Sequence, residues 1–159
     1  MARTLFIFTP QSAERPTTNY PTRHRDGQSR FYLAFDDTTD ETCYWTFVMP
    51  QGVTGALSAV ITYRASAASG TAAFEAAVEA ITDGDAVDTD SASSFDSVNT
   101  TSAATVPGTI GYIDQVSITL TNADSIAAGD YGRLRLNRDV SADNAVGDLQ
   151  VLTVELREA

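Results

Sequence analysis

The chain has 159 residues, a hydrophobic share of 43% and a formal net charge of −11 at pH 7. This length suits one domain with a sizeable core, and the acidic balance argues against nucleic acid as the main partner, because phosphate binding needs clustered basic residues. All ten basic residues are arginines, so lysine chemistry such as Schiff-base formation is excluded, and the single cysteine, Cys43, excludes an intrachain disulfide.

The charge is unevenly distributed along the chain. Residues 1–30 hold five arginines and two acids (+5 − 2 = +3), whereas residues 31–159 hold five arginines and nineteen acids (+5 − 19 = −14). The apolar run at residues 5–8 is too short for a signal-peptide core, so we expect synthesis in a cytoplasm. Three prolines between residues 9 and 28 exclude a helix and a central strand there.

The N-terminal segment, residues 1–28, is therefore predicted to be a short strand at Arg3–Phe8 followed by an extended basic arm. Residues 29–159 are predicted to form the main domain. We expect the arm to lie across an acidic surface, such as that of a neighbouring copy. The side chains expected to make this contact are Arg3, Arg15, Tyr20, Arg23 and Arg25.

Apolar and polar residues alternate along most of the chain after Arg30. The pattern predicts strands near residues 31–35, 43–49, 57–64, 116–121, 133–137 and 152–157. Residues 72–82 fit a helix by alanine content and a strand by their flanking strands, and we favour the strand. About eight strands, each with one solvent-exposed and one buried face, predict an all-β fold: an antiparallel two-sheet β-sandwich of jelly-roll-like form.

The long Ser/Thr/Asp-rich segment at residues 83–108 is predicted to be a loop, and it carries the best candidate for a metal site. Closely spaced aspartates on a bent loop can supply the oxygen ligands of calcium, although the EF-hand pattern is absent and a solvated acidic loop is the simpler interpretation. The candidate ligands are Asp83, Asp85, Asp88 and Asp90. No other cofactor is predicted.

No catalytic residue is predicted. The one close glutamate pair, Glu75 and Glu79, points to one side of a strand and not across a cleft, as a glycosidase needs. His24, the only histidine, lies between two arginines in the proline-rich arm, where a preorganised general base is not expected.

Two groups of side chains are candidates for binding. Tyrosines and a tryptophan could form a sugar-stacking platform, although Trp45 is better explained by core packing. The platform candidates are Tyr20, Tyr32, Tyr44, Trp45, Tyr63, Tyr112 and Tyr131. Arg133 and Arg135 are expected to project from one sheet face, either as an interface stripe or paired with Glu155 and Arg157 on a neighbouring strand.

Several segments resemble small β-sandwich virion proteins of tailed bacteriophages: YWTFVMPQG at residues 44–52, the Ala/Ser-rich turn at 65–70, FDSVN at 95–99 and AGDYGRLRLNRD at 128–139. The resemblance covers roughly residues 30–157, in pattern more than in any invariant motif. It implies a jelly-roll-like domain, often trimeric, that decorates a capsid or forms part of a tail or fibre. It implies no catalytic residues.

These observations lead to two main functional hypotheses. The first is a non-enzymatic capsid decoration (head auxiliary) protein in the virion, which stabilises the shell. It would act as a homo-oligomer, which we expect to be a trimer, and its arm would contact the major capsid protein or other virion proteins. The second is a glycan-binding β-sandwich module of a tail fibre or cell-surface assembly. An enzyme such as a depolymerase is a third hypothesis, which no residue constellation supports. No membrane partner is expected.

Overall fold

The computed structural model describes residues 3–159, which form antiparallel β-sheets and one short 3-10 helix at Pro10–Ser12. Among these residues, no helix is long and apolar enough to span a membrane. The strands are β1 (Arg3–Phe8), β2 (Thr22–Arg25), β3 (Phe31–Phe35), β4 (Thr42–Val48), β5 (Leu57–Ala65), β6 (Thr71–Ala72), β7 (Phe74–Ile81), β8 (Asn99–Thr100), β9 (Ala104–Thr105), β10 (Ile113–Thr119), β11 (Tyr131–Arg138) and β12 (Leu149–Glu158).

Two sheets form the sandwich, in agreement with the predicted jelly-roll-like architecture. The larger sheet has the order β10-β5-β12-β3-β2, and β1 also pairs with β12. The smaller sheet has the order β4-β11-β7-β8, and β6 and β9 form a separate pair. Strand β12 organises the larger sheet, because it pairs with β5 on one side and with both β3 and β1 on the other.

The strand predicted for residues 72–82 is confirmed in β7. Its backbone pairs with β11 on one side and with β8 on the other. Alanine favours a helix by intrinsic propensity, but pairing and burial within a sheet outweigh that preference. The loop predicted at residues 83–108 contains two short strands, β8 and β9, which alternation does not reveal because each has only two residues.

The N-terminal segment, predicted to be a short strand and an extended arm, packs on its own chain. Strand β1 pairs with β12, Glu14 forms a β-bridge with Tyr44, and β2 pairs with β3. The predicted domain boundary at residue 28 thus falls in the turn of the β2–β3 hairpin. The physical reason is burial of apolar side chains. Phe8 is buried, and Leu5 and Phe6 pack against the core, so β1 completes one edge of it.

Aromatic contacts hold β1 in place. Phe8 is buried, and its ring lies 5.6 Å from that of Trp45 and 5.8 Å from that of Phe47. The indole Nε1 of Trp45 donates a hydrogen bond to the backbone oxygen of Thr9 at 3.0 Å. Trp45 is therefore a core residue, as predicted, and it anchors the N-terminal segment.

Arg138 is fully buried at the end of β11, and all five guanidinium N–H groups are hydrogen-bonded. Nε and Nη2 donate to the carboxylate of Asp143 at 2.6 and 3.1 Å. Nη1 donates to the backbone oxygens of Phe35 and Gly147 at 3.0 and 2.8 Å, and Nη2 donates to that of Ala145 at 2.7 Å. The side chain therefore connects the smaller sheet to the end of β3 in the larger sheet.

We predict that Phe8→Ala lowers the free energy of unfolding by about 3–5 kcal/mol, because it removes a buried aromatic ring from the core. Ile7→Ala is the matched control: Ile7 is 63% exposed on the same strand, and its loss should cost about 0.5 kcal/mol or less. Urea unfolding measures both. If Phe8→Ala cost no more than Ile7→Ala, Phe8 would not anchor β1 in the core.

Arg138→Met should lower the free energy of unfolding by about 3–5 kcal/mol, because it leaves the Asp143 carboxylate buried without its partner. Arg157→Met, which removes a partly exposed ion pair with Glu155, should cost about 1 kcal/mol or less. Thermal and urea unfolding of both variants test this difference. A cost for Arg138→Met no greater than that for Arg157→Met would contradict it.

Candidate functional site

The outer face of the smaller sheet carries the most varied set of functional side chains. Strands β4, β11 and β7 pair in register, so their outward side chains form four rows across the sheet. We call this surface the arginine face. Its rows are Val48–Tyr131–Ile81, Thr46–Arg133–Glu79, Tyr44–Arg135–Ala77 and Thr42–Asn137–Glu75.

Arg133 is fixed at the centre of the arginine face. Its guanidinium carbon lies 4.6 Å from the ring centroid of Tyr44 and 5.4 Å from that of Phe95. Its nitrogens lie 3.4 Å from a carboxylate oxygen of Glu79 and 3.6 Å from one of Glu14. With two carboxylates and two rings around it, the Arg133 side chain is preorganised.

Arg135 has fewer contacts. Its guanidinium carbon lies 5.4 Å from the ring centroid of Phe95. Within residues 3–159 its guanidinium makes no hydrogen bond or ion pair with another protein group. Arg135 therefore offers a planar set of N–H donors beside an aromatic ring.

An exposed apolar row borders the arginines. Val48 is 59% exposed and Tyr131 is 39% exposed, on adjacent positions of β4 and β11. The neighbouring row contains Thr46 and Arg133. The arginine face thus places an apolar strip directly beside hydrogen-bonding groups, on neighbouring strands of one sheet.

Phe95 is the member of this site that sequence reasoning missed. Its ring lies 5.6 Å from that of Tyr44. The loop is held at β7 by the backbone N–H of Ser94, which donates to Glu79 at 2.6 Å, and by that of Asp96, which donates to Val78. The only feature of the sequence that could have indicated its role is that it is a single phenylalanine in a Ser/Asp-rich loop.

The predicted pairing of Arg133 and Arg135 with Glu155 and Arg157 is wrong. Their strand, β11, lies between β4 and β7, whereas β12 belongs to the other sheet. The carboxylate that alternation placed on the outer side of β7, Glu79, is the actual partner of Arg133. Glu79 is only 2% exposed, because the loop at residues 94–96 lies beside it.

The structure does not gather the predicted arm residues into one site. Arg3 pairs with Glu158 at 2.5 Å, Arg15 lies over the ring of Tyr20, and Arg23 donates to the backbone oxygen of Gln11. Arg25 is exposed on β2, next to His24, whose ring stacks on Tyr32 at 5.5 Å. Their role as an interface stays a prediction.

The aspartates of the acidic loop bond to nearby groups of their own loop. Asp85 accepts the backbone N–H of Thr82, and Asp88 accepts the Ser91 hydroxyl and the backbone N–H of Asp90. The Ser91 hydroxyl, followed by the Asp90 N–H, lowers the pKa of Asp88. In the described part of the chain, no three His, Cys, Asp or Glu side chains are grouped to hold a metal ion. The calcium site at Asp83, Asp85, Asp88 and Asp90 stays a prediction.

Among the predicted platform aromatics, Trp45 and Tyr63 are buried in the core. Burial raises the pKa of Tyr63, and the charge of Asp114, which accepts its hydroxyl at 3.1 Å, raises it further. Of the remaining tyrosines, Tyr44 and Tyr131 share the arginine face. The others are dispersed: Tyr32 lies in the larger sheet, and Tyr20 and Tyr112 lie outside the strands.

Comparisons with known proteins give structural similarity only. No protein-family model matches the sequence, and no curated protein matches it significantly. A xylan-binding module, CBM15, is 9% identical, with a TM-score of 0.47, covering 92% of this chain and 89% of that one. A carbohydrate-binding module from Cellvibrio mixtus lichenase 5A, in complex with cellotriose, is 13% identical, with a TM-score of 0.45, covering 99% of each chain. Similarities at this level do not indicate what this chain binds.

Glu158→Gln should destabilise the protein at pH 7 and have little effect at pH 3. The backbone N–H groups of Thr54 and Gly55 donate to Glu158, and together with Arg3 they hold its pKa below the ordinary value of 4.5. A lowered carboxyl pKa contributes stability above the ordinary pKa, and this stability is lost as the pH falls through the folded-state value.

Thermal unfolding of wild type and Glu158→Gln at the two pH values measures this effect. Asp83→Asn, which changes the same charge at an exposed position, should shift the melting temperature much less at pH 7. A pH-independent effect of Glu158→Gln would show that the charge of Glu158 contributes nothing.

Proposed function

We propose that the protein is a non-catalytic glycan-binding β-sandwich module and that the arginine face contacts the sugar. The observation that carries this proposal is the combination on one surface of exposed apolar side chains, a fixed arginine and a second arginine whose donors are unpaired within residues 3–159. Sugars present an apolar C–H surface and rows of hydroxyl groups, so both kinds of group are needed to bind them.

The row Val48–Tyr131–Ile81 supplies the apolar part of the proposed site. A sugar ring that lies on Tyr131 would cover a side chain that is now 39% exposed, together with the neighbouring Val48. Amphipathic rings such as tyrosine suit such a surface, because the ring face is apolar while the hydroxyl remains hydrated.

The next two rows supply hydrogen bonds. Neighbouring outward positions on a strand are about 6.6 Å apart, so a ring on Tyr131 lies within reach of Arg133 and Thr46. Arg135 lies one row further, with its donors unpaired in the described chain. These groups would bind hydroxyl or carboxylate oxygens of the next sugar unit.

Preorganisation supports binding over a purely structural role for this cluster. Arg133 is held by Glu79, Glu14 and the Tyr44 ring before any ligand arrives. Side chains fixed in this way lose little conformational entropy on binding, which raises affinity. The proposal includes no reaction. Glu75 and Glu79 lie on the same face of one strand, four residues apart with Ala77 between them on that face, and they do not oppose each other across a cleft.

The hypothesis of a capsid decoration protein stays a prediction, as do the virion location and the capsid partner. Its main argument from the sequence was an arm that contacts a neighbour. Because β1, Glu14 and β2 pair within the chain, that argument is weaker than the one for the glycan-binding module.

Binding to a panel of neutral and acidic polysaccharides, measured by affinity electrophoresis and then by calorimetry with the best oligosaccharide, tests the proposal. Tyr131→Ala and Arg135→Ala should each weaken binding about tenfold or more, since each removes a direct contact or a charged hydrogen bond.

The matched controls are Tyr20→Ala, at a tyrosine 37% exposed, and Arg25→Ala, at an exposed arginine of β2. Both should bind like wild type. Binding that is lost equally in the controls, or the absence of binding to every polysaccharide, would overturn the proposal.

A further inference from the structure

Strand β10 is an open edge of the larger sheet. It pairs with β5 on one side only. Within residues 3–159, its backbone groups on the other side make no hydrogen bond to another segment. A free edge of seven residues is a template for pairing with a further strand.

Three other edge strands, β4, β2 and β1, are protected. The backbone of β4 exchanges hydrogen bonds with Glu14 at 2.8 and 3.0 Å. Strand β2 has four residues and carries Arg23 and Arg25, and β1 has a register shift between Thr4 and Phe6. Charge, shortness and bulges are the usual protection against strand pairing. Apart from Asp114, β10 has none of them.

The surface at the start of β10 is apolar. Ile110, Tyr112 and Ile113, all within four consecutive positions, are 63%, 66% and 64% exposed. Exposed apolar groups of this kind mark interaction sites.

The distribution of charge along the chain indicates which partner would pair with the edge of β10. Residues 97–123 contain one charged residue, Asp114, and its carboxylate accepts the hydroxyl of Tyr63 in the same chain. The whole chain carries −11. Two copies therefore repel each other over most of their surfaces and meet with least repulsion at β10.

We infer that β10 pairs with β10 of a second copy, antiparallel and centred on Val116, to give a symmetric dimer. In this register Gln115 faces Ser117 of the other copy and Ile113 faces Thr119, so no like charges are opposed. The contact is isologous and closes after two copies, which suits a two-fold dimer. This inference is independent of the proposed glycan binding, and it replaces the predicted trimer with a dimer as our proposal.

Light scattering over a range of protein concentrations is the first test. We expect a mass of twice 16.9 kDa at high concentration, and tighter association at higher salt, because salt screens the repulsion between two acidic chains. Gln115→Glu with Ser117→Glu places glutamates opposite each other in both pairs and should give a monomer.

Thr17→Glu with Thr18→Glu is the control, since it adds the same charge at exposed loop positions away from β10. It should leave the dimer largely intact. A monomer at every concentration and salt level, or a dimer unaffected by the β10 substitutions, would overturn the inference.

Disulfide formation tests the register. Opposed residues of antiparallel strands have Cα atoms about 4.5–5.5 Å apart, within the range of a disulfide. A mixture of Gln115→Cys and Ser117→Cys proteins should cross-link under mild oxidation much faster than either variant alone, while buried Cys43 stays unreactive. Equal rates in all three samples would exclude this register.

Discussion

The buried guanidinium of Arg138 is the constraint on which the two-sheet arrangement depends. It lies at the end of β11 in one sheet and bonds to the backbone oxygen of Phe35 in the other. Acidic side chains surround it. Burial, followed by the charge of Asp36, raises the pKa of Glu41 and of Asp148, and Arg138 partly offsets this effect. A wholly buried cation is tolerated here because each of its N–H groups has an acceptor.

The N-terminal segment connects the core to the arginine face. Phe8 packs against Trp45, and a few residues later Glu14 exchanges backbone hydrogen bonds with Tyr44. The Glu14 carboxylate then lies 3.6 Å from Arg133. Closure of the edge of β4 and orientation of the central arginine therefore depend on the same residue. The segment that charge and prolines suggested as an extended arm thus contributes to the proposed binding surface of its own chain.

Several elements were predictable from local pattern, and others were not. The strands at 133–137 and 152–157 follow from strict alternation, which reports one wet and one dry face. For residues 72–82, alanine content favours a helix while the flanking strands favour a strand. Pairing with β11 and β8 stabilises the strand. The partner of Arg133 was not predictable, because alternation assigns a side chain to a face but does not determine which strand lies next to it. Phe95 could not be placed, since its position depends on a loop held by Glu79.

The sequence by itself determined the fold class, the buried and solvent-exposed sides of the long strands, the core position of Trp45 and the shared face of Arg133 and Arg135. These properties depend on side-chain periodicity, which is local. Only the tertiary structure decided the strand order, the pairing of β1 with β12, the grouping of Tyr44 and Phe95 around the arginines, and the open edge at β10. Each of these depends on contacts between residues far apart in the chain, for which a single sequence carries no direct signal.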